Sequence, residues 1–166
     1  MGYGYKGFAL VAAAATMATP AQGACWSGAA YEAAQVRELD TMLMVEALRC
    51  RATPANFVSD YNAFVSGSRA VLVRANDALR AHFAAAGGRA RALDAYDGYV
   101  TAVANRYVAG SAGLACEDMA SIARAAAAAN GSGQALAELA RLADMRPTLP
   151  GGRCEVEPST LSVAQR

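Results

Sequence analysis

The run 36-VRELDTMLMVEALRCRATPANFVSDYNAFVSGSRAVLVRANDALRAHF-83 decides the fold. In its second half, apolar side chains recur every three or four residues, from Phe57 through Phe64 and Val71 to Leu79. This is the spacing of one face of an α-helix and not the alternation of a strand. The first half has the same spacing, so the run predicts two helices joined at residues 50–54. Because so short a connection makes neighbouring helices antiparallel, we expect a hairpin whose apolar faces share one core.

Local signals set the expected ends of these two helices. Ser27 is a suitable N-cap for a first helix over residues 29–51. Thr53 is a suitable N-cap for a second helix that begins at Pro54, since the first helical position needs no backbone N–H. Glycines at 87 and 88 predict the end of that helix, and Gly67 is the expected place for a bend.

The rest of the chain has the same helical periodicity. It predicts a third helix over residues 89–108 and a fourth that begins near Cys116 and ends at residues 130–133. A short fifth helix, which Ser132 caps and Pro147 stops, is predicted to turn Leu136, Leu139 and Leu142 inward. No window alternates like a strand over more than four residues. We therefore predict an all-α fold, a small up-and-down bundle of four to five helices led by the hairpin, with residues 25–154 as its single domain.

The N-terminus has the three regions of a secretory signal peptide. Lys6 precedes an apolar run of about ten residues, and a small-residue segment follows Pro20. We predict a signal peptide over residues 1–24 and a periplasmic or secreted protein, with an N-terminal buried helix as the alternative. Cys25 follows at once, so a lipid anchor there is a second alternative, although Gln22 departs from the usual lipoprotein pattern. Residues 155–166 are predicted to be a disordered tail.

Charge argues against nucleic acid as a partner. The chain has 15 basic and 14 acidic residues, and its only lysine, Lys6, lies in the predicted signal peptide. The remainder is formally neutral, and no block of arginines lacks nearby acids. No apolar run reaches the roughly 20 residues of a membrane span. The expected partner is an unknown envelope protein or a small molecule.

Four cysteines in an exported chain predict two disulfides. Cys25 and Cys50 flank the first helix and would lie more than about 30 Å apart, whereas a disulfide needs Cα atoms within about 7 Å. Following the up-and-down path places Cys116 near Cys50, which favours a Cys50–Cys116 bond and leaves Cys25 to pair with Cys154. Neither a Cys-x-x-Cys pair nor a second histidine is present, so no metal site is expected.

Motifs for catalysis are scarce. Gly2, Gly4 and Gly7 have the spacing G-x-G-x-x-G, but they lie in the predicted signal peptide and follow no strand, so no nucleotide site and no cofactor are predicted. A polar strip on the second helix supplies the weak candidates for ligand binding: Asp60, Asn62, Asn76 and His82. A solvated helix face, with His82 at the edge of the core, is the simpler interpretation of the same residues. No catalytic residue is assigned.

The run Val36–Cys50, together with Ser59–Asn62 and Cys116–Ala120, resembles small exported bacterial proteins of unknown function. Some of those proteins carry the label S-adenosylhomocysteine hydrolase. That enzyme family is far larger and cytosolic and needs a nucleotide-binding βαβ unit, which these residues cannot build. The resemblance implies export, a helical fold and structural cysteines, and it adds no catalytic residue.

Two functional hypotheses follow. The first is a non-enzymatic, disulfide-bonded helical protein that has a binding or structural role in the cell envelope. The second is a small-molecule binder or an unrecognised hydrolase that uses the polar strip. A cavity on which the strip residues converge would favour the second, and an exposed apolar surface would favour the first.

Overall fold

The computed structural model describes residues 25–154, and this part of the chain folds into six helices. They are α1 (Gly28–Cys50), α2 (Val58–Gly67), α3 (Arg69–Gly87), α4 (Arg89–Tyr107), α5 (Cys116–Ala128) and α6 (Gly133–Leu142). The all-α prediction is confirmed. The signal peptide and the disordered tail were predicted for residues that lie outside this range. None of the six helices is both long and apolar enough to cross a membrane.

Helix α1 is the centre of the fold. It packs against each of the other five helices, and Leu39 and Leu43 on it are fully buried. Ser27 caps it as predicted, because the hydroxyl oxygen accepts a hydrogen bond from the backbone N–H of Ala30. A helix surrounded by neighbours on nearly all sides must bury polar positions as well as apolar ones, and α1 does so.

The second helix of the sequence prediction is divided in two. It was expected to run from Pro54 to Ala86 with a bend at Gly67; instead α2 ends at Gly67 and α3 begins at Arg69. Helix α2 packs mainly on α5, whereas α3 packs on α1 and α4. The turn between α5 and α6 sits on this break: a Cβ on Gly131, whose φ is +78°, would lie 2.9 Å from the carbonyl oxygen of Gly67. The break therefore has a tertiary cause as well as a local one.

The predicted start of the second helix is wrong. Thr53 does not cap it. The Thr53 hydroxyl donates 2.8 Å to the carbonyl oxygen of Cys50, and so closes the end of α1. Pro54 lies in the following turn, and α2 begins at Val58, whose N–H donates to the Asn56 side chain. Thr53 satisfies a helix C-terminus here instead of an N-terminus.

The hairpin itself is confirmed. The Tyr61 hydroxyl of α2 donates a hydrogen bond to Asp40 in α1, and His82 near the end of α3 stacks on Trp26 just before α1. The chain from α2 to α3 therefore runs antiparallel to α1. Its return brings the end of α3 next to the start of α1.

Both predicted disulfides are present. We call Cys50–Cys116 the pole disulfide, because it joins the end of α1 to the start of α5, with Cα atoms 5.7 Å apart. We call Cys25–Cys154 the tail disulfide; its Cα atoms are 4.8 Å apart. No cysteine in the described residues is free. The sulfur of Cys25 is thus used in a disulfide, which leaves none for a lipid thioether.

Helix α6 ends before Pro147, and its C-terminal cap contains no glycine. Asp144 takes the left-handed conformation, with φ of +55°, and the N–H of Met145 donates to the carbonyl oxygen of Ala140. This is the hydrogen bond of a Schellman motif, with an aspartate where glycine is usual. The turn leaves Asp144 exposed and directs Met145 into the core.

Candidate functional site

The four predicted ligand residues occupy two different helices. Asp60 and Asn62 lie on α2, and Asn76 and His82 lie on α3, beyond the break. Asn76 accepts a 2.9 Å hydrogen bond from the Tyr96 hydroxyl and so links α3 to α4. Among the described residues, no hydrogen bond, ion pair or aromatic contact joins the α2 pair to the α3 pair. A ligand site on the polar strip stays a prediction, and the structure gives Asn76 a packing role.

His82 belongs to an aromatic cluster. Its ring stacks on Trp26 with centroids 3.8 Å apart, and Phe83 and Tyr99 pack around the same indole. Burial lowers the pKa of His82, because desolvation disfavours the charged imidazolium. A neutral, stacked imidazole at the edge of the core is the simpler of the two sequence interpretations.

Trp26 also fixes the tail. It is 1% exposed, its indole N–H donates to the carbonyl oxygen of Pro150, and its backbone exchanges hydrogen bonds with Gly152 and Cys154. The tail disulfide closes the same junction. Trp26 therefore anchors the C-terminal segment to the start of α1.

Three acidic side chains of α1 are buried, and the sequence analysis missed them: Glu38, Asp40 and Glu46. Glu38, 1% exposed, accepts hydrogen bonds from Arg106 and, at 2.7 Å, from the Tyr107 hydroxyl. It thereby ties α1 to the end of α4. Burial and the hydrogen bond to Glu38 both raise the pKa of Tyr107, so this hydroxyl stays protonated and acts as the donor.

Glu46 holds the loop between α4 and α5. One of its oxygens accepts both the backbone N–H and the hydroxyl of Ser111, at 2.6 and 2.9 Å. Its other oxygen accepts from Arg49 at 2.6 Å. The loop comes close because Gly110 has no side chain: a Cβ there would lie 2.5 Å from the Arg49 guanidinium. Both oxygens of this carboxylate are occupied in positioning the loop.

Asp40 makes the third of these connections. It pairs with Arg37 on its own helix and accepts from Tyr61 of α2 at 3.2 Å. Burial raises the pKa of Asp40, while Arg37 beside it acts in the opposite direction. The three carboxylates thus connect α1 with α2, with α4 and with the α4–α5 loop.

Beside two of these carboxylates lies an open cavity, which we call the groove. It has a volume of about 560 Å³, within the roughly 300–1,000 Å³ of small-molecule pockets. Its walls come from α1, the end of α4, the α4–α5 loop, α5 and α6. The lining residues are Met42, Tyr107, Ser111, Ala112, Leu114, Ile122, Leu139, Leu142, Ala143, Asp144 and Met145. None of the predicted strip residues is among them.

The groove is apolar and partly uncovered. Leu142 is 69% exposed and Leu114 is 40% exposed, and large aliphatic side chains that share one concave surface are typical of a binding site. The sequence predicted that Leu139 and Leu142, on the fifth helix, face inward. Leu139 is half-buried, but Leu142 points to the open groove, because α6 ends there and no further helix in the described residues covers it.

The chemistry of the groove favours binding over catalysis. Its only hydroxyls are those of Tyr107 and Ser111, and each donates to a buried carboxylate. Ser111 has no histidine beside it, and the carboxylate it contacts already pairs with Arg49. Serine catalysis needs a free base at that position. Within residues 25–154, no group of three His, Cys, Asp or Glu side chains is arranged to hold a metal ion.

Searches of protein-family models, of curated proteins and of solved structures found no match to this chain.

Proposed function

We propose that this chain is an exported, non-enzymatic binding protein and that the groove is its binding surface. The observation that carries the proposal is an open cavity of about 560 Å³ whose rim exposes Leu114 and Leu142. Leaving such side chains in water is unfavourable by about 25 cal/mol for each Å² that a ligand could cover. A ligand in the groove would remove this cost.

The framework around the groove supports a preformed site. Three neighbours of the groove are fixed by buried contacts: Glu38 holds Tyr107, Glu46 holds Ser111, and the pole disulfide fixes the start of α5. A site whose walls are already positioned loses little conformational entropy when a ligand binds. The rigid walls of the groove therefore favour ligand binding, and this role needs no catalytic group.

Export is part of the proposal. Two disulfides in a small helical domain are typical of proteins that fold in an oxidising compartment. Together with the signal-peptide pattern of residues 1–24, they favour the periplasm or the extracellular space as the place where the groove meets its ligand.

The test compares two matched double variants. Leu114→Arg with Leu142→Arg places two charges on the groove rim, and Val73→Arg with Leu93→Arg places two charges on α3 and α4, at residues that are 50% and 58% exposed and do not line the groove. The oxidised mature proteins are incubated with envelope extract of the source organism, and everything retained is identified by mass spectrometry. We expect at least one molecule to be retained by the wild type and the control variant and lost by the groove variant. Identical profiles for all three proteins would contradict the proposal.

A further inference from the structure

Resting on the proposed function, we infer that the groove binds a small organic molecule with an apolar body and a hydrogen-bond donor, namely an apolar amine in its ammonium form. The hydroxyl protons of Tyr107 and Ser111, which line the groove, point away from it toward buried carboxylates, and this decides which ligand groups the groove can bind.

A hydroxyl has one proton, and each of the two lining hydroxyls already donates its proton in a hydrogen bond to a buried carboxylate. Tyr107 donates to Glu38 at 2.7 Å, and Ser111 donates to Glu46 at 2.9 Å. Each carboxylate is 1% exposed and accepts from an arginine as well, so the direction of both bonds is fixed. What Tyr107 and Ser111 can offer a ligand is therefore oxygen lone pairs.

The acidic residue in the lining, Asp144, also favours a ligand that donates hydrogen bonds. Asp144 is the only acidic side chain among the lining residues, and none of them is a lysine, an arginine or a histidine. Its Oδ1 accepts from Arg146, a pair that is largely exposed and so contributes little. Within the described residues, Oδ2 of Asp144 has no hydrogen-bond partner. A ligand ammonium would find acceptors at the wall and at the rim.

An anion would meet the opposite situation. A carboxylate in the groove would lack a lining donor, and it would lie close to Asp144 and to the carboxylates behind Tyr107 and Ser111. Burying an unpaired charge is costly. An apolar acid should consequently bind much more weakly than the amine of the same shape, with the neutral alcohol between them.

The experiment uses three probes that share one body: 4-phenylbutylamine, 4-phenylbutanol and 4-phenylbutyrate. Each is titrated at pH 7 into the oxidised mature protein, and affinity and position are read from the backbone amide resonances in ¹⁵N–¹H spectra. We expect the amine to shift the amides of Ser111 and Leu142 and to bind at least tenfold more tightly than the acid. A tenfold ratio corresponds to about 1.4 kcal/mol.

A positive charge added at the rim tests the ligand class, and the same change outside the groove is the matched control. Leu142→Arg should weaken the amine and strengthen the acid, whereas Val73→Arg, at an exposed residue outside the groove, should leave both affinities unchanged. Both positions are at the surface, so both variants should fold.

The outcomes separate the two proposals. If the acid binds the groove as tightly as the amine or more tightly, the ligand class is wrong and the groove remains a binding surface. If none of the probes shifts the groove amides, the ligand class is also wrong, and the comparison of rim variants in envelope extract then decides the proposed function by itself.

Discussion

Glu38 is a buried carboxylate that accepts hydrogen bonds from Arg106 and Tyr107, so replacing it should be costly. In Glu38→Gln the side-chain oxygen can still accept from Tyr107, but the charge that pairs with Arg106 is lost. A hydrogen bond to a charged group contributes about 1.5–3 kcal/mol. The Arg106 side chain is 35% exposed and can be hydrated when unpaired, so we expect the lower end, about 1.5 kcal/mol. Glu38→Leu also leaves the buried Tyr107 hydroxyl without its carboxylate acceptor, which should bring the loss to about 3–4 kcal/mol.

Urea unfolding of the oxidised protein, with linear extrapolation of the free energy of unfolding, measures these losses. Glu32→Gln is the matched control, since Glu32 is an exposed acid on the same helix; it should change the free energy by less than about 0.5 kcal/mol. The reasoning is refuted if Glu38→Gln is as mild as this control, or if Glu38→Leu costs no more than Glu38→Gln.

Three further predictions concern the disulfides, the histidine and export. Replacing both cysteines of the pole disulfide by alanine should destabilise the bundle by about 2–5 kcal/mol in urea unfolding. Loss of the tail disulfide should increase amide exchange at the two ends of the domain and leave the helices protected. Greater destabilisation of the helices by loss of the tail disulfide than by loss of the pole disulfide would contradict these roles. Because burial lowers the pKa of His82, the unfolded state takes up its proton first as the pH falls, so stability should be complete above about pH 6.5 and should fall as the pH drops from there through the folded pKa. His82→Gln should remove this dependence, cost less than about 1.5 kcal/mol and abolish any titration of the fluorescence of the single tryptophan; loss of a binding or catalytic activity with the fold intact would show that the polar strip is functional. Residues 1–30 fused to a reporter that is active only outside the cytoplasm should give activity, and retention of the intact chain in the cytoplasm would count against export.

The sequence predicted the parts of the fold that local rules determine. Helical spacing identified the helices, Ser27 and Ser132 both cap as expected, and the length of α1 excluded a Cys25–Cys50 bond. With that bond excluded, the up-and-down order of the helices favoured Cys50–Cys116 and Cys25–Cys154, which are the two disulfides in the structure. These inferences needed only the rise of a helix and the reach of a disulfide.

Two of the failures, the break at Gly67 and the buried carboxylates of α1, have tertiary causes. Periodicity is uninterrupted across Gly67, so nothing local distinguished a bend from the complete break on which the α5–α6 turn sits. The buried carboxylates left a signal that was missed: Glu38 and Glu46 each lie four residues from Met42, in one row of the apolar face of α1. An acid in such a row is buried only if another element supplies its partner, and here Arg106, Tyr107 and the loop at Ser111 do so.

The groove could not be predicted because it belongs to no single element. It exists where α1, α5 and α6 meet the α4–α5 loop, and the turn that ends α6 at Ala143 and Asp144 forms part of its lining. The sequence favoured an exposed apolar surface under one hypothesis, and it gave no means of locating that surface.

The most direct test of the groove as a binding surface is the fluorescence of Nile red, a neutral apolar dye, titrated with the oxidised mature protein. We predict saturable enhancement with the wild type and with the Val73→Arg, Leu93→Arg control, and loss of that enhancement with the Leu114→Arg, Leu142→Arg variant, whose helical circular dichroism should match that of the control. Equal enhancement by both double variants, or none with the wild type, would contradict the account.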